Sequence, residues 1–243
     1  NNLYHSVGNL VARESRERIH AVFRGMQLMN FWLYSCAGIA LYAAIGPFIR
    51  AWIGDAYVME AAVPAILLLL FFERGMRNAV ATVKTTAGIF REDRYAPLLQ
   101  AAVTLGCGIA LVGPLGIVGV FLGSLIGALA IPFWLTPYWV YRKVFRLPLR
   151  RYFAVYARYV LVGGAACAAV LAACRALPAD GWAAVAARLA VALAVPNLLY
   201  WALFRRLEEF AVLAGAARRI AEMLTGRLRP GADRETGGAK QTP

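Results

Sequence analysis

The sequence predicts an all-α integral membrane protein, with about six transmembrane helices in one bundle and a C-terminal amphipathic surface helix. Three observations carry this reading. Hydrophobic residues make up 61% of the 243 positions and charged residues only 16%, against roughly 25% charged in ordinary soluble domains. Two stretches, 25–49 and 95–141, contain no Asp, Glu, Lys or Arg. The basic residues that give the net charge of +13 punctuate apolar runs instead of forming an exposed basic face. The expected partner is therefore the lipid bilayer and not nucleic acid.

The chain begins Asn1-Asn2, with no initiator Met and no signal peptide. This reads as an internal start, with an earlier part missing. Residues 1–24 read as a cytoplasmic lead-in bearing Arg13, Arg16, Arg18 and Arg24. The first span is 25–49, bracketed by Arg24 and Arg50. Twenty-five helical residues rise about 37 Å, enough to cross a hydrocarbon core of about 30 Å with tilt. The second span, 61–90, is long enough only if Glu73, Arg74, Arg77 and Lys84 lie within it.

The uncharged run 95–141 is too long for one crossing and must fold back. Gly113-Pro114 is the predicted turn, since Pro lacks a donor and Gly relaxes the backbone. Two spans result, 95–112 and 115–139. A fifth follows at 152–174 with Arg158 inside, and a sixth at 182–204 with Arg188 inside. Both arginines can snorkel to the nearer surface. Pro178, Asp180 and Gly181 make the last turn. Beyond Arg205 and Arg206, the positions Phe210, Leu213, Ala217, Ile220 and Leu224 repeat at helical spacing. They predict a cytoplasmic amphipathic helix over 207–227. The Gly-, Pro- and charge-rich residues 228–243 predict a disordered tail.

Loop charge gives an independent check. The lead-in, 91–94, 142–151 and 205–206 carry most of the loop Lys and Arg, while 50–60, 113–116 and 175–181 hold only Arg50 and Arg175. This alternation fits six spans with both ends cytoplasmic.

The charges of the second span are the most informative feature. A charge at the bilayer centre costs at least about 2.5–3.5 kcal/mol on insertion scales and usually faces protein or a hydrated cavity. On a helix, Glu73, Arg77 and Lys84 fall within about 40° of one another, with Arg74 to one side. One reading is an internal Glu73/Arg77 ion pair that only lowers insertion cost. Another ends the span near Phe72 and leaves the charges wet. The third is a cationic lining for an anionic substrate, favoured by the surplus of bases. In the first span Gln27, Asn30, Tyr34, Gly38 and Leu41 share a face. Its amides either glue helices together or line a hydrated path.

Cys36, Cys107, Cys167 and Cys174 sit in apolar spans without C-x-x-C spacing and read as small hydrophobes. No metalloprotease, phosphate-loop or nucleophile-elbow motif occurs, and neither catalytic residues nor a cofactor or metal are expected. Gly119, Gly123 and Gly127 make two overlapping G-x-x-x-G steps, a surface for close helix packing.

Several words of sequence carry a family likeness. They are Ser6-Val7-Gly8-Asn9-Leu10-Val11-Ala12, Asn30-Phe31-Trp32, Pro47-Phe48-Ile49-Arg50 and Trp52-Ile53-Gly54. Arg74-Gly75-Met76-Arg77-Asn78, Asp93-Arg94-Tyr95 with Pro97-Leu98, Leu115-Gly116-Ile117 and Gly119-Val120-Phe121-Leu122-Gly123 follow. In this order and spacing, over residues 3–145, they resemble the C-terminal half of bacterial polysaccharide-transporter (O-antigen-type) flippases. These belong to the multidrug/oligosaccharidyl-lipid/polysaccharide flippase superfamily.

The resemblance implies one six-span bundle of a two-bundle flippase, whose N-terminal bundle would be the missing partner. It implies an alternating-access transporter, not an enzyme. The cargo would be undecaprenyl-pyrophosphate-linked oligosaccharide for lipopolysaccharide or related polysaccharide, moved across the bacterial inner membrane. Arg74, Arg77 and Lys84 would attract the pyrophosphate or acidic sugars. Glu73 would neutralise Arg77 when no cargo is bound, or exchange a proton, and Gln27 and Asn30 would line the path. The competing expectations are a membrane-embedded transferase (polymerase, ligase or acyltransferase) and a non-transporting assembly protein. The first would need positioned acids, bases or nucleophiles, and the second would tolerate loss of every base.

Overall fold

In the computed structural model the described residues are 16–177, 180–206 and 210. The predicted amphipathic helix over 207–227, apart from Phe210, the tail 228–243 and the first part of the lead-in lie outside them. The described residues are all-helical in class, 86% of them in helices and none in a strand. The helices are α1 (Arg16–Trp52), α2 (Ala62–Thr86), α3 (Ala96–Ala130), α4 (Pro132–Val140), α5 (Arg150–Cys174) and α6 (Trp182–Phe204). Four apolar helical runs are long enough to cross a membrane: α1, the continuous run Ala96–Phe145, α5 and α6. The 25-residue α2 has the length, but its charges set it apart from those four.

The first helix starts well before the uncharged run. Arg16, Arg18 and Arg24 lie in its opening turns, so residues 16–24 of the lead-in and the span are one helix. Helix α2 stops where Gly88 takes a positive φ of 69°, a conformation that only glycine adopts at low cost.

The fold-back of the long apolar run is present, but its turn is not at Gly113-Pro114. Both residues lie inside the first arm of α3, and the chain reverses at Gly116, whose φ of 55° and ψ of −135° are non-helical. That combination is essentially closed to residues with a Cβ. The second arm, 117–130, returns along the first. A Cβ on Gly123 would sit 2.6 Å from the Gly108 nitrogen and 2.8 Å from its Cα; one on Gly119 would meet the Leu111 carbonyl, and one on Gly127 the Thr104 side chain. The predicted glycine surface is thus spent inside this hairpin.

The predicted span 115–139 is also interrupted. Ile131, just before Pro132, sits at φ −113°, ψ −74°, and Pro132 has no N–H to donate into the preceding turn. Helix α4 therefore begins afresh there. A π turn, Tyr141–Phe145, follows α4, and Arg146 then reverses the chain in the left-handed region at φ 55°, ψ 38°.

Helix α1 is the central post. It packs against α2 on one side and against α6 and α5 on another. Close approach to α2 needs two glycines: a Cβ on Gly38 would strike Leu68, and one on Gly75 the Tyr34 ring. Against α5 and α6 the contact is aromatic. Phe31 stacks on Tyr159 with ring centres 4.6 Å apart and tilts against Tyr200 at 4.8 Å. Asn197 joins the helices by a polar link, accepting from the Trp32 indole at 2.6 Å while its amide donates to the Leu193 carbonyl at 2.7 Å. Such links are favoured in lipid, where water offers no alternative partner.

The two ends of the bundle differ in charge. At one end His20 packs on Phe145 and Tyr141. There Lys84 of α2 pairs with Asp93, and Lys143 of the π turn pairs with Glu92. The basic segments 16–24, 91–94 and 142–151 therefore meet at that end. At the other, Arg50 holds Asp55 at 3.1 Å and Asp180 at 3.2 Å, and Phe48 packs on Trp182. The alternation read from loop charge thus corresponds to a real gathering of segments in space.

Glu92 and Asp93 are adjacent yet grip lysines from different elements, so they staple the 87–95 connection to both α2 and the π turn. The hydrogen bond from Lys143 is the main reason that the Glu92 carboxyl lies below its ordinary range. A carboxyl lowered in the folded state contributes above its unfolded value and loses that contribution as pH falls through the folded one. Hydrogen-exchange protection factors across 87–95 should therefore be flat near neutrality and fall below about pH 4.5. Glu92→Gln should show the low protection at every pH. An unchanged acid response in that variant would remove Glu92 as its source.

Candidate functional site

The middle of α2 carries an acid into an apolar interior. Glu73 is only 3% exposed and shares its buried face with Met76, Val80 and Val83. One helical turn later Arg77 reaches back in a two-point grip, Nε to Oε1 at 2.7 Å and Nη2 to Oε2 at 3.3 Å. Glu four residues before its basic partner is the favourable order on a helix, and the guanidinium fork matches the carboxylate. The pair is net neutral, which lets α2 carry both charges inside.

Glu73 also lines a cavity of about 380 Å³ where α1, α2, the second arm of α3, α4 and α5 converge. Its walls include Ile39, Phe72, Leu129, Phe133, Tyr156 and Val160. Ser35 borders it too, but its hydroxyl donates to the Phe31 carbonyl of its own helix at 2.5 Å. The chamber is a hydrocarbon surface with one carboxylate in its wall and a guanidinium behind that carboxylate.

The structure does not assemble the three predicted bases into one lining. Arg77 does not line the cavity and is tied to it only through its hold on Glu73. Arg74 is exposed on the outer side of α2. Lys84 is drawn to the basic end by Asp93, although helical geometry places it on the same stripe as Glu73 and Arg77. Asn30 donates to the Gly75 carbonyl at 3.0 Å, so it bonds α1 to α2 directly. Gln27 is 1% exposed, and its amide nitrogen has no hydrogen-bond partner among the described residues.

Sequence reasoning missed two parts of this arrangement. Asp93 is the partner that removes Lys84 from the stripe; an acid shortly after a basic span end was the available signal. Tyr156 and Phe133 form much of the cavity wall, yet they come from helices far along the chain, and no local pattern links them to Glu73.

No family model, no curated protein and no solved structure matches this chain.

Proposed function

We propose that this chain is a membrane transporter bundle that moves an anionic amphiphile, a lipid-linked oligosaccharide carrying pyrophosphate, across a bacterial inner membrane. The observation that carries this reading is the Glu73 carboxylate set in the wall of an apolar chamber, with Arg77 gripping it from behind. Two oxygens of a tetrahedral phosphate can meet the Arg77 fork in the same two-point fashion as the Glu73 carboxylate does. In the empty state the carboxylate keeps the guanidinium neutralised. Cargo phosphate then competes for the fork, in a low-dielectric setting that strengthens the contact. The apolar walls suit the lipid part of such a cargo. The resemblance of this chain's sequence words to polysaccharide flippases points the same way.

In this reading α1, α2, the two arms of α3 (the second continued by α4), α5 and α6 are six crossings. They form one bundle of a two-bundle transporter that works by alternating access. The basic end faces the cytoplasm, which puts both termini there.

The test is joint replacement of Glu73 by Leu and Arg77 by Met in the native gene, which removes the pair without stranding a buried charge. Surface polysaccharide should be lost, and its lipid-linked precursor should accumulate on the cytoplasmic side, with the protein still present in the membrane. Normal polysaccharide in cells that hold the variant at native levels would refute the reading.

A further inference from the structure

A second cavity lies on the outer face of the bundle, where α4 meets the start of α5. It is a groove of about 580 Å³ lined by Phe133, Trp134, Leu149, Phe153, Tyr156 and Ala157, with Arg150 as its one charged residue. The reversal at Arg146 lays these two helices side by side. Their rings interleave, with Trp134 and Phe153 centred 4.6 Å apart and Phe133 and Tyr156 5.2 Å apart. Trp134 nevertheless remains 54% exposed. The surface is thus an aromatic trough, open to whatever surrounds the bundle and capped by a guanidinium.

Charge around the cap is one-sided. Between Asp93 and Asp180 the sequence contains no acidic residue. Lys143 is taken by Glu92, and Arg142 is held by the Tyr138 hydroxyl. Arg146, Arg150 and Arg151 have no ion pair among the described residues. An apolar trough ending in the Arg150 guanidinium, which has no ion pair among the described residues, calls in a bilayer for an amphiphile with a fatty chain and an anionic head.

We propose that this groove is a binding site for an anionic phospholipid of the surrounding leaflet. Its acyl chain lies along Phe133, Trp134 and Phe153, and its phosphate is held by Arg150. Arg150 sets the preference for a net negative headgroup, because a zwitterionic lipid brings its own cation to the same place. The proposal requires only that the protein resides in a membrane and is independent of the transport reading.

The test uses the whole chain in nanodiscs containing brominated-acyl phosphatidylglycerol or brominated-acyl phosphatidylcholine. Bromine quenches indole fluorescence at contact, and the difference between the native chain and Trp134→Phe isolates the groove signal. The anionic lipid should occupy the site about fivefold more tightly, the size expected for one basic group at a membrane surface. Arg150→Gln should erase that preference, and Arg150→Lys should keep it. Equal quenching by the two lipids overturns the proposal, as does a preference that survives Arg150→Gln. Absence of any Trp134 signal with either lipid also overturns it, since the groove is then filled by protein.

Discussion

Arg77→Ala should destabilise the protein by about 3–5 kcal/mol, because it strands the Glu73 carboxylate in an apolar wall. The carboxylate is almost wholly buried, and both of its oxygens are satisfied by the one guanidinium. The double replacement Glu73→Leu with Arg77→Met should recover most of that loss, since a neutral pair of similar bulk removes the desolvation cost together with the attraction. Detergent-solubilised protein titrated with denaturant gives both numbers. The pair of variants also separates folding from function: the double variant should be stable and inactive in transport. A double variant as unstable as Arg77→Ala would show that the ion pair is needed for the fold, and a fully active one would show that transport does not use it.

Gly123→Ala should cost about 1–3 kcal/mol, the range for overpacking a tight contact. The added methyl would meet Gly108 backbone at 2.6 and 2.8 Å and the Thr104 carbonyl at 3.1 Å. Backbone cannot swing aside as a side chain can, so the arms of α3 must separate. Gly106→Ala is the matched control: it lies on the same hairpin, and a Cβ there meets nothing within 4 Å. That change should be neutral or stabilising by up to about 1 kcal/mol, the gain in helix propensity. Similar effects from the two substitutions in an unfolding titration would contradict the interlocked hairpin.

Much of the helical plan was legible because it is local. The sixth span, predicted at 182–204, coincides with Trp182–Phe204, and the fifth, predicted at 152–174, with Arg150–Cys174. Both are bounded by breaks in hydropathy that a single stretch of sequence reveals. The α3 turn was misplaced by a few residues because Gly113-Pro114 is the stronger turn signal, whereas the requirement at Gly116 is a backbone angle that no pattern of residue types expresses. The Glu73/Arg77 pair was legible as an i, i+4 step. The chamber beside it was not, since its walls join α1 to α5 across more than a hundred residues. Lys84 shows the limit of face arithmetic: its angle on the helix was right, and a carboxylate in the next connection decided where its ammonium went.

The hairpin of α3 also bears on how the protein is made. Its arms satisfy each other through glycine contacts, carry no charge and bury little against the rest of the bundle. Such a unit can leave the ribosome, close on itself and partition into lipid before α5 and α6 exist. Helix α2, with its charges, has no such autonomy. Its buried polar link and its close glycine contacts run to α1, which precedes it in the chain, so synthesis supplies that partner before the charged helix emerges.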